Sequence, residues 1–113
     1  MNIEIASSQL EALGSPIRLG IYRMLVRAGA GGLAVGQLQT QVGMPGSTLS
    51  HHLKRLIDTG LVRQERAGTS LICHARYPAM AALLAFLTAE CCADEAQLAG
   101  ASPSCRPTSC VST

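Results

Sequence analysis

Four of the five cysteines of this chain lie within its last 23 residues, at Cys91, Cys92, Cys105 and Cys110. Thiolates bind soft metal and metalloid ions, and pairs of thiols can also be oxidised to disulfides. Adjacent residues of a helix point about 100° apart, so Cys91 and Cys92 can share one ion only where the helix unwinds. We therefore expect a thiol site at the end of the last helix, completed by a tail cysteine. The fifth cysteine, Cys73, lies mid-strand and is expected to pack in the core.

A second group of reactive side chains lies on one side of a helix expected at about Ser47–Thr59. Its apolar stripe consists of Leu49, Leu53, Leu56 and Ile57; on a helical wheel the last three lie within about 80° of Leu49. Hydroxyl groups, imidazoles, ammonium and guanidinium groups bind phosphate oxygens and base edges. The residues of this helix expected to contact nucleic acid are Ser47, Thr48, Ser50, His51, Lys54 and Arg55. His52, at the edge of the stripe, is expected to pack instead.

The charge is concentrated in the middle of the chain. Residues 14–77 contain eight basic and two acidic residues, a balance of +6, whereas the segments before and after each carry −2. A basic middle between acidic ends favours a polyanionic partner such as DNA, although a solvated basic surface remains an alternative on charge alone.

Helical periodicity, glycine stops and a Ser15-Pro16 cap define the elements that must position these residues. We expect helices over Ile3–Leu13, Pro16 to about Gly29, Val35–Val42, Ser47–Thr59 and Ala79–Asp94, and strands over Leu61–Arg66 and Ser70–Arg76 around a three-residue turn, Ala67–Thr69. Arg63 and Arg66 are expected near the hairpin tip, in contact with the minor groove or backbone. This order predicts a mainly α winged helix-turn-helix fold over residues 1–95, followed by a flexible cysteine-containing tail over residues 96–113.

Three segments resemble the ArsR/SmtB family of metal-responsive repressors. They are Leu-Gly-Ser-Pro-Ile-Arg-Leu at 13–19, Ser-Thr-Leu-Ser-His-His-Leu-Lys-Arg-Leu at 47–56 and Thr-Gly-Leu-Val at 59–62; with the wing, the similarity extends over residues 8–93. The resemblance implies a homodimer formed through the first and last helices. It also implies repression by binding to double-stranded operator DNA and release of the DNA when an inducer binds.

The inducer site differs from two family patterns. Many arsenic-sensing members carry Cys-Val-Cys before the recognition helix, where this chain has Ala34-Val35-Gly36, and the zinc-sensing pattern needs a histidine after His74. Other arsenic-responsive members resemble this chain in their adjacent cysteines at the end of the last helix. The resemblance thus implies trivalent arsenic or antimony as inducer, held by three of Cys91, Cys92, Cys105 and Cys110, with no cofactor required.

Two other functions compete with metalloid sensing. The same fold could use its thiols as a redox sensor, with a disulfide as the signal. A cysteine-dependent enzyme is disfavoured, because no Cys-x-x-Cys motif and no phosphate-binding glycine motif is present. The sequence shows no signal peptide, and Ala79–Leu87 is far shorter than the roughly 20 apolar residues of a membrane span. We therefore expect a cytoplasmic protein that is not an enzyme and does not bind membranes.

Overall fold

The computed structural model describes the backbone of residues 1–98 and the side chains of residues 1–95. The helices are α1 (Ile3–Leu13), α2 (Pro16–Ala28), α3 (Val35–Val42), α4 (Gly46–Asp58), α5 (Tyr77–Thr88) and α6 (Ala93–Leu98), and the strands are β1 (Leu33–Ala34), β2 (Val62–Ala67) and β3 (Ser70–Ala75). The described chain divides into two compact units between Leu83 and Leu84. Within residues 1–98, no helix combines the length and apolar character required to cross a bilayer.

Local capping explains where the first two helices begin. The Asn2 side chain accepts a hydrogen bond from the Ile5 amide at 2.9 Å, and the Ser15 hydroxyl accepts one from the Arg18 amide at 3.4 Å. Pro16 is the first residue of α2, a position where the absence of an amide hydrogen costs nothing. The start of α2 predicted from Ser15-Pro16 is therefore confirmed.

The core is aliphatic and joins the helices to the sheet. Its fully buried side chains come from α2, α3, α4 and the wing, and they are Ile21, Leu25, Leu38, Leu49, Leu53, Leu56, Leu61, Val62 and Cys73. Burial raises the pKa of the Cys73 thiol, which disfavours the reactive thiolate form. The expectation that Cys73 packs in the core is confirmed.

The sheet has three strands in the order β1-β3-β2, rather than the two of a simple hairpin. The additional strand, β1, pairs antiparallel with β3, so that Leu33 lies opposite Cys73. Gly32 leads into β1 with a φ of +66°, and a Cβ at this position would collide with the Cys73 carbonyl and come within 2.7 Å of His74 Nδ1. Glycine is therefore required there both by backbone conformation and by space.

The hairpin turn is shorter than the sequence predicted. Ala67 pairs with Ser70, which leaves a two-residue loop of Gly68 and Thr69 instead of three residues. Gly68, the first loop residue, has a φ of +65°, the conformation for which tight hairpins select glycine. The predicted position of Arg63 near the hairpin tip is also wrong, because Arg63 pairs with His74 at the base of the hairpin. Arg66, in contrast, is one residue from the tip.

The predicted last helix, Ala79–Asp94, is in fact two helices separated by a turn. The α5 helix begins earlier, at Tyr77, and ends at Thr88, and α6 begins at Ala93. In between, the Cys91 amide donates to the Thr88 carbonyl at 3.0 Å and the Ala93 amide to the Glu90 carbonyl at 2.9 Å, which are turn rather than α-helical bonds. Glu90 and Cys92 have φ values of +61° and +60°, and this left-handed conformation interrupts a right-handed helix.

Candidate nucleic-acid interface and cysteine turn

The recognition helix α4 buries its leucines and exposes its polar side. Leu49, Leu53 and Leu56 are at most 1% exposed. The solvent-facing side chains are those of the predicted contact set with the exception of half-buried Arg55, namely Ser47, Thr48, Ser50, His51 and Lys54. This arrangement presents hydroxyl, imidazole and ammonium groups along a single helix, as a DNA-reading helix requires.

The approach to α4 leaves its first turn open for a ligand. Gly43 ends α3 in the left-handed conformation, with φ +67°, and its amide donates to the Gln39 carbonyl at 2.9 Å. Pro45 is the N-cap of α4, and no side chain caps the first turn. The amides at the start of a helix carry partial positive charge and bind phosphate oxygens. Ser47 and Thr48 lie in this turn, so their hydroxyls add to the same anion-binding end.

Two cations of α4 are engaged in ion pairs. Lys54 Nζ lies 3.2 Å from Asp58 Oδ2 on the same helix, and Arg55 Nη2 lies 2.5 Å from Glu11 Oε1 of α1. Exposed pairs of this kind contribute only about 0–1 kcal/mol. Lys54 is mostly exposed and can exchange its carboxylate for a phosphate at little cost, whereas Arg55 points back towards α1.

The two wing arginines lie on opposite sides of the sheet. Gln64 lines a groove with Ser50 and Lys54 of α4. Arg66 follows Gln64 by two residues in β2 and therefore shares this side. Arg63 is offset by one residue and lines a cleft of about 400 Å³ on the other side, together with His74, Arg76 and Tyr77. Arg66, and not Arg63, lies on the same side of the wing as the recognition helix.

The buried imidazole of His74 forms a hydrogen bond with the carboxylate of Glu65, which lies beside Arg63. His74, only 5% exposed, lies with its Nε2 2.7 Å from Glu65 Oε1, and Arg63 Nη1 lies 3.5 Å from Glu65 Oε2. The hydrogen bond with His74 is the main cause that lowers the pKa of the Glu65 carboxyl. The lowered pKa favours the ionised carboxylate of Glu65, which forms an exposed ion pair with Arg63.

Arg18 is a structural cation. Its Nε donates to the Ala12 carbonyl at 2.6 Å, and its Nη1 lies 3.5 Å from His52 Nδ1. Burial, followed by the charges of Arg18 and His51, lowers the pKa of His52 and favours the neutral imidazole that can accept from Arg18. The expectation that His52 packs is confirmed, and Arg18 joins three helices rather than contributing to the exposed basic surface.

The cysteine turn, residues 89–92, brings two of the predicted thiol ligands together. Cys91 and Cys92 are half-buried, and their Sγ atoms are 3.5 Å apart, because the positive φ of Cys92 turns the backbone between them. Residues 89–92 are not helical, which is the condition under which the sequence allows adjacent cysteines to share one ion. Cys92 is disulfide-bonded, so this disulfide has to be reduced before Cys92 can bind an ion. Cys105 and Cys110 lie outside the described residues, and among residues 1–95 no three potential metal-ligating side chains cluster.

Sequence reasoning missed two residues of α1 that contact the recognition helix. Gln9 is 4% exposed, and its Nε2 donates to the Thr59 carbonyl at 3.0 Å; Glu11 forms the ion pair with Arg55. The signal for Gln9 was present, because it occupies the buried stripe of α1 between Ala6 and Ala12. A polar residue in such a stripe indicates a specific hydrogen bond.

Comparison with known proteins agrees with this geometry. A helix-turn-helix domain family matches residues 13–65. The HTH-type transcriptional regulator YgaV of Escherichia coli is 33% identical over 84 residues, which are 74% of this chain and 83% of YgaV. An ArsR-like transcriptional regulator from Rhodococcus has the same fold, with a TM-score of 0.73 at 21% identity, over 85% of this chain and 88% of that one. The chain belongs to the ArsR family of transcriptional regulators.

Within the ArsR family, one similar structure is a dimer. The DNA-binding domain of Mb0332 from Mycobacterium bovis, a possible ArsR-family regulator, is described as a homodimeric winged helix-turn-helix. It is 27% identical, with a TM-score of 0.64, and the similarity covers 85% of this chain and 83% of that one. These relatives are regulators of transcription, in agreement with a DNA-binding role for α4 and the wing.

Proposed function

We propose that this protein is a metalloid-responsive repressor that binds operator DNA as a homodimer. Arsenite or antimonite binds the C-terminal thiolates and releases the DNA. The observation that carries this proposal is the 3.5 Å separation of the Cys91 and Cys92 sulfurs in the cysteine turn. Soft ions prefer thiolate ligands, and this chain places two of them side by side.

The sulfur separation is compatible with one shared ion. Metal–sulfur bonds of about 2.3 Å require two thiolates on one ion to lie within about 4.6 Å of each other. The two Sγ atoms, 3.5 Å apart, meet this condition once the disulfide of Cys92 is reduced. A trivalent metalloid takes three thiolates in a pyramidal arrangement, so we propose that Cys105 or Cys110 supplies the third.

The DNA contacts in this proposal come from the exposed side of α4 and from the wing. Ser47, Thr48, Ser50, His51 and Lys54 are accessible along α4, and Arg66 lies on the same side of the wing. Arg63 would contact DNA only after leaving Glu65, and we assign it a secondary contact with the backbone.

A homodimer would account for the apolar side chains that the chain leaves in water. The α1 helix exposes Ile3, Ile5 and Leu10, and α5 exposes Leu84 and Leu87 by more than half. We propose that a second copy covers both helices, as the family resemblance implies. Half-site spacing on DNA depends on how two recognition helices are held apart. Closing the cysteine turn around an ion next to α5 would change that spacing, and a coupling of about 1–3 kcal/mol lowers the DNA affinity about 5- to 150-fold.

The experiment is a fluorescence-anisotropy titration of a fluorescent operator, selected from random DNA, with and without arsenite or antimonite. Wild type and the matched control Cys73→Ala should lose affinity when metalloid is added. Cys91→Ser and Cys92→Ser should bind the operator as wild type does and retain it in metalloid. Release by metalloid from both serine variants and from a Cys105→Ser, Cys110→Ser double variant would contradict the proposal.

The redox sensor remains the second candidate, because Cys92 is disulfide-bonded in this structure, and a disulfide is the signal that such a sensor uses. The same titration with hydrogen peroxide separates the two functions. Release by peroxide, together with thiol loss and no response to metalloid, would favour the redox sensor.

A further inference from the structure

Gln9 is a buried polar residue of α1, whereas the proposed DNA contacts lie on α4 and the wing. Its side-chain amide donates to the Thr59 carbonyl at 3.0 Å, and within the described residues its Oε1 has no hydrogen-bond partner. A half-satisfied buried amide lowers the stability of the fold, because its unpaired oxygen has given up a hydrogen bond to water. Only the hydrogen bond to the Thr59 carbonyl offsets this cost, so the role of Gln9 has to be sought in the segment that this bond holds.

Gln9 contacts the segment that connects the recognition helix α4 to β2 of the wing. Thr59 is the C-cap of α4, and Gly60 follows with a φ of +81°. The chain then continues directly into β2, which begins at Val62. A hydrogen bond to the Thr59 carbonyl therefore restrains both the end of the recognition helix and the start of the wing.

A second contact from α1 reaches the same end of α4. Glu11, two residues after Gln9, pairs with Arg55, one turn before Thr59. The Arg55 side chain is 41% exposed, whereas that of the neighbouring Lys54 is 73% exposed and points to solvent. Gln9 and Glu11 together, here called the α1 clamp, hold the C-terminal half of α4, while its first turn remains free to meet DNA.

We infer that the α1 clamp positions the recognition helix and the wing for operator recognition, and that Arg55 serves this clamp rather than a phosphate. Gln9 and Glu11 are positioning residues that act through Thr59 and Arg55. The clamp raises the affinity for the operator over random DNA, because specific readout depends on the helix angle and phosphate attraction does not.

The test for Gln9 compares operator and random DNA in the absence of metalloid. Gln9→Met removes the hydrogen bond and keeps the volume. Because the Thr59 carbonyl loses its donor, we expect a folded protein with a somewhat lower Tm than wild type. We also expect an operator affinity at least about 5-fold weaker and an unchanged affinity for random DNA. Ser7→Ala, exposed on the same helix, is the control. A folded Gln9→Met protein with the wild-type ratio of operator to random affinity would overturn the inference.

A second arm tests Arg55 through the salt dependence of binding. Each lost phosphate contact lowers the slope of log K against log salt by about 0.9. We expect this decrease for Lys54→Gln and no decrease for Arg55→Gln, although the latter weakens operator binding. Exchange of the pair, Glu11→Arg with Arg55→Glu, should restore the operator affinity. A reduced slope for Arg55→Gln, without rescue by the exchange, would show that Arg55 contacts phosphate. Neither arm depends on metalloid, so failure here is distinct from failure of the proposed thiol sensor.

Discussion

The recognition helix and the cysteine turn differ in how well they are packed and in how strained their backbones are. Three leucines of α4 are at most 1% exposed, and contacts from α1 hold its C-terminal end. The cysteine turn has half-buried thiols and two non-glycine residues in the left-handed conformation, each of which costs about 1–2 kcal/mol. The helix is held by packing, whereas the turn contains strained backbone. This difference suits a rigid reader and an adaptable sensor.

Removal of a leucine from α4 should have the largest effect on stability. Leu53 is 1% exposed in the core. Leu53→Ala should lower the free energy of unfolding by about 2–5 kcal/mol, because the burial is lost and a cavity remains. Chemical denaturation followed by circular dichroism measures this loss. A change below about 1 kcal/mol would mean that α4 is not held by its packing.

A methyl group at Gly32 should have the next largest effect. It would collide with the Cys73 carbonyl and require a residue other than glycine at φ +66°. Gly32→Ala should cost about 2–3 kcal/mol from strain alone. Gly36→Ala is the matched control, because nothing lies within 4 Å of its added Cβ and the site is helical; it should gain about 0.5–1 kcal/mol. Equal effects of the two changes in thermal denaturation would refute the steric explanation.

The sequence predicted the packed region well because its signals are local and repetitive. The apolar stripe of Leu49, Leu53 and Leu56 and the Ser15-Pro16 cap each determine a structure through neighbouring residues. The strand β1 was missed because two residues, Leu33 and Ala34, are too few for a period, and they form a strand only by pairing with β3.

The strained region was predicted less well. The run from Ala79 to Asp94 contains neither glycine nor proline, so helical propensity predicts one continuous helix. The turn instead places Glu90 and Cys92 in the left-handed region, which neither residue favours. Cys91 and Cys92 remain predicted ligands on the basis of their type and spacing, but the 3.5 Å approach of their sulfurs depends on this turn and could not be predicted.

Relief of strain in the cysteine turn should give a smaller, stabilising effect. Glu90→Gly removes about 1–2 kcal/mol of left-handed strain and adds about 0.5–1 kcal/mol of chain entropy cost. We therefore expect a net gain of about 0.5–1 kcal/mol in thermal denaturation, with both thiols retained. A loss of stability would mean that the turn is not strained.

The smallest expected effect is on the pH dependence of stability, through the titration of His52. Its pKa in the folded state is lowered, so the neutral form contributes stability above the unfolded pKa of about 6.5. This contribution is lost as the pH falls below that value and through the folded pKa. His52→Asn should flatten the decline in stability on acidification from pH 7, as measured by denaturation at several pH values. If the variant loses stability on acidification as steeply as wild type, His52 is not a cause of that loss.

The most direct test of the sensor is the arsenic coordination of the full-length protein loaded with arsenite. X-ray absorption at the arsenic edge should show three sulfur ligands in wild type and in Cys73→Ala. A Cys91→Ser, Cys92→Ser double variant should lose that three-sulfur site while its operator affinity is unchanged. Three sulfur ligands in the double variant, or oxygen-only coordination in wild type, would contradict the assignment of the cysteine turn.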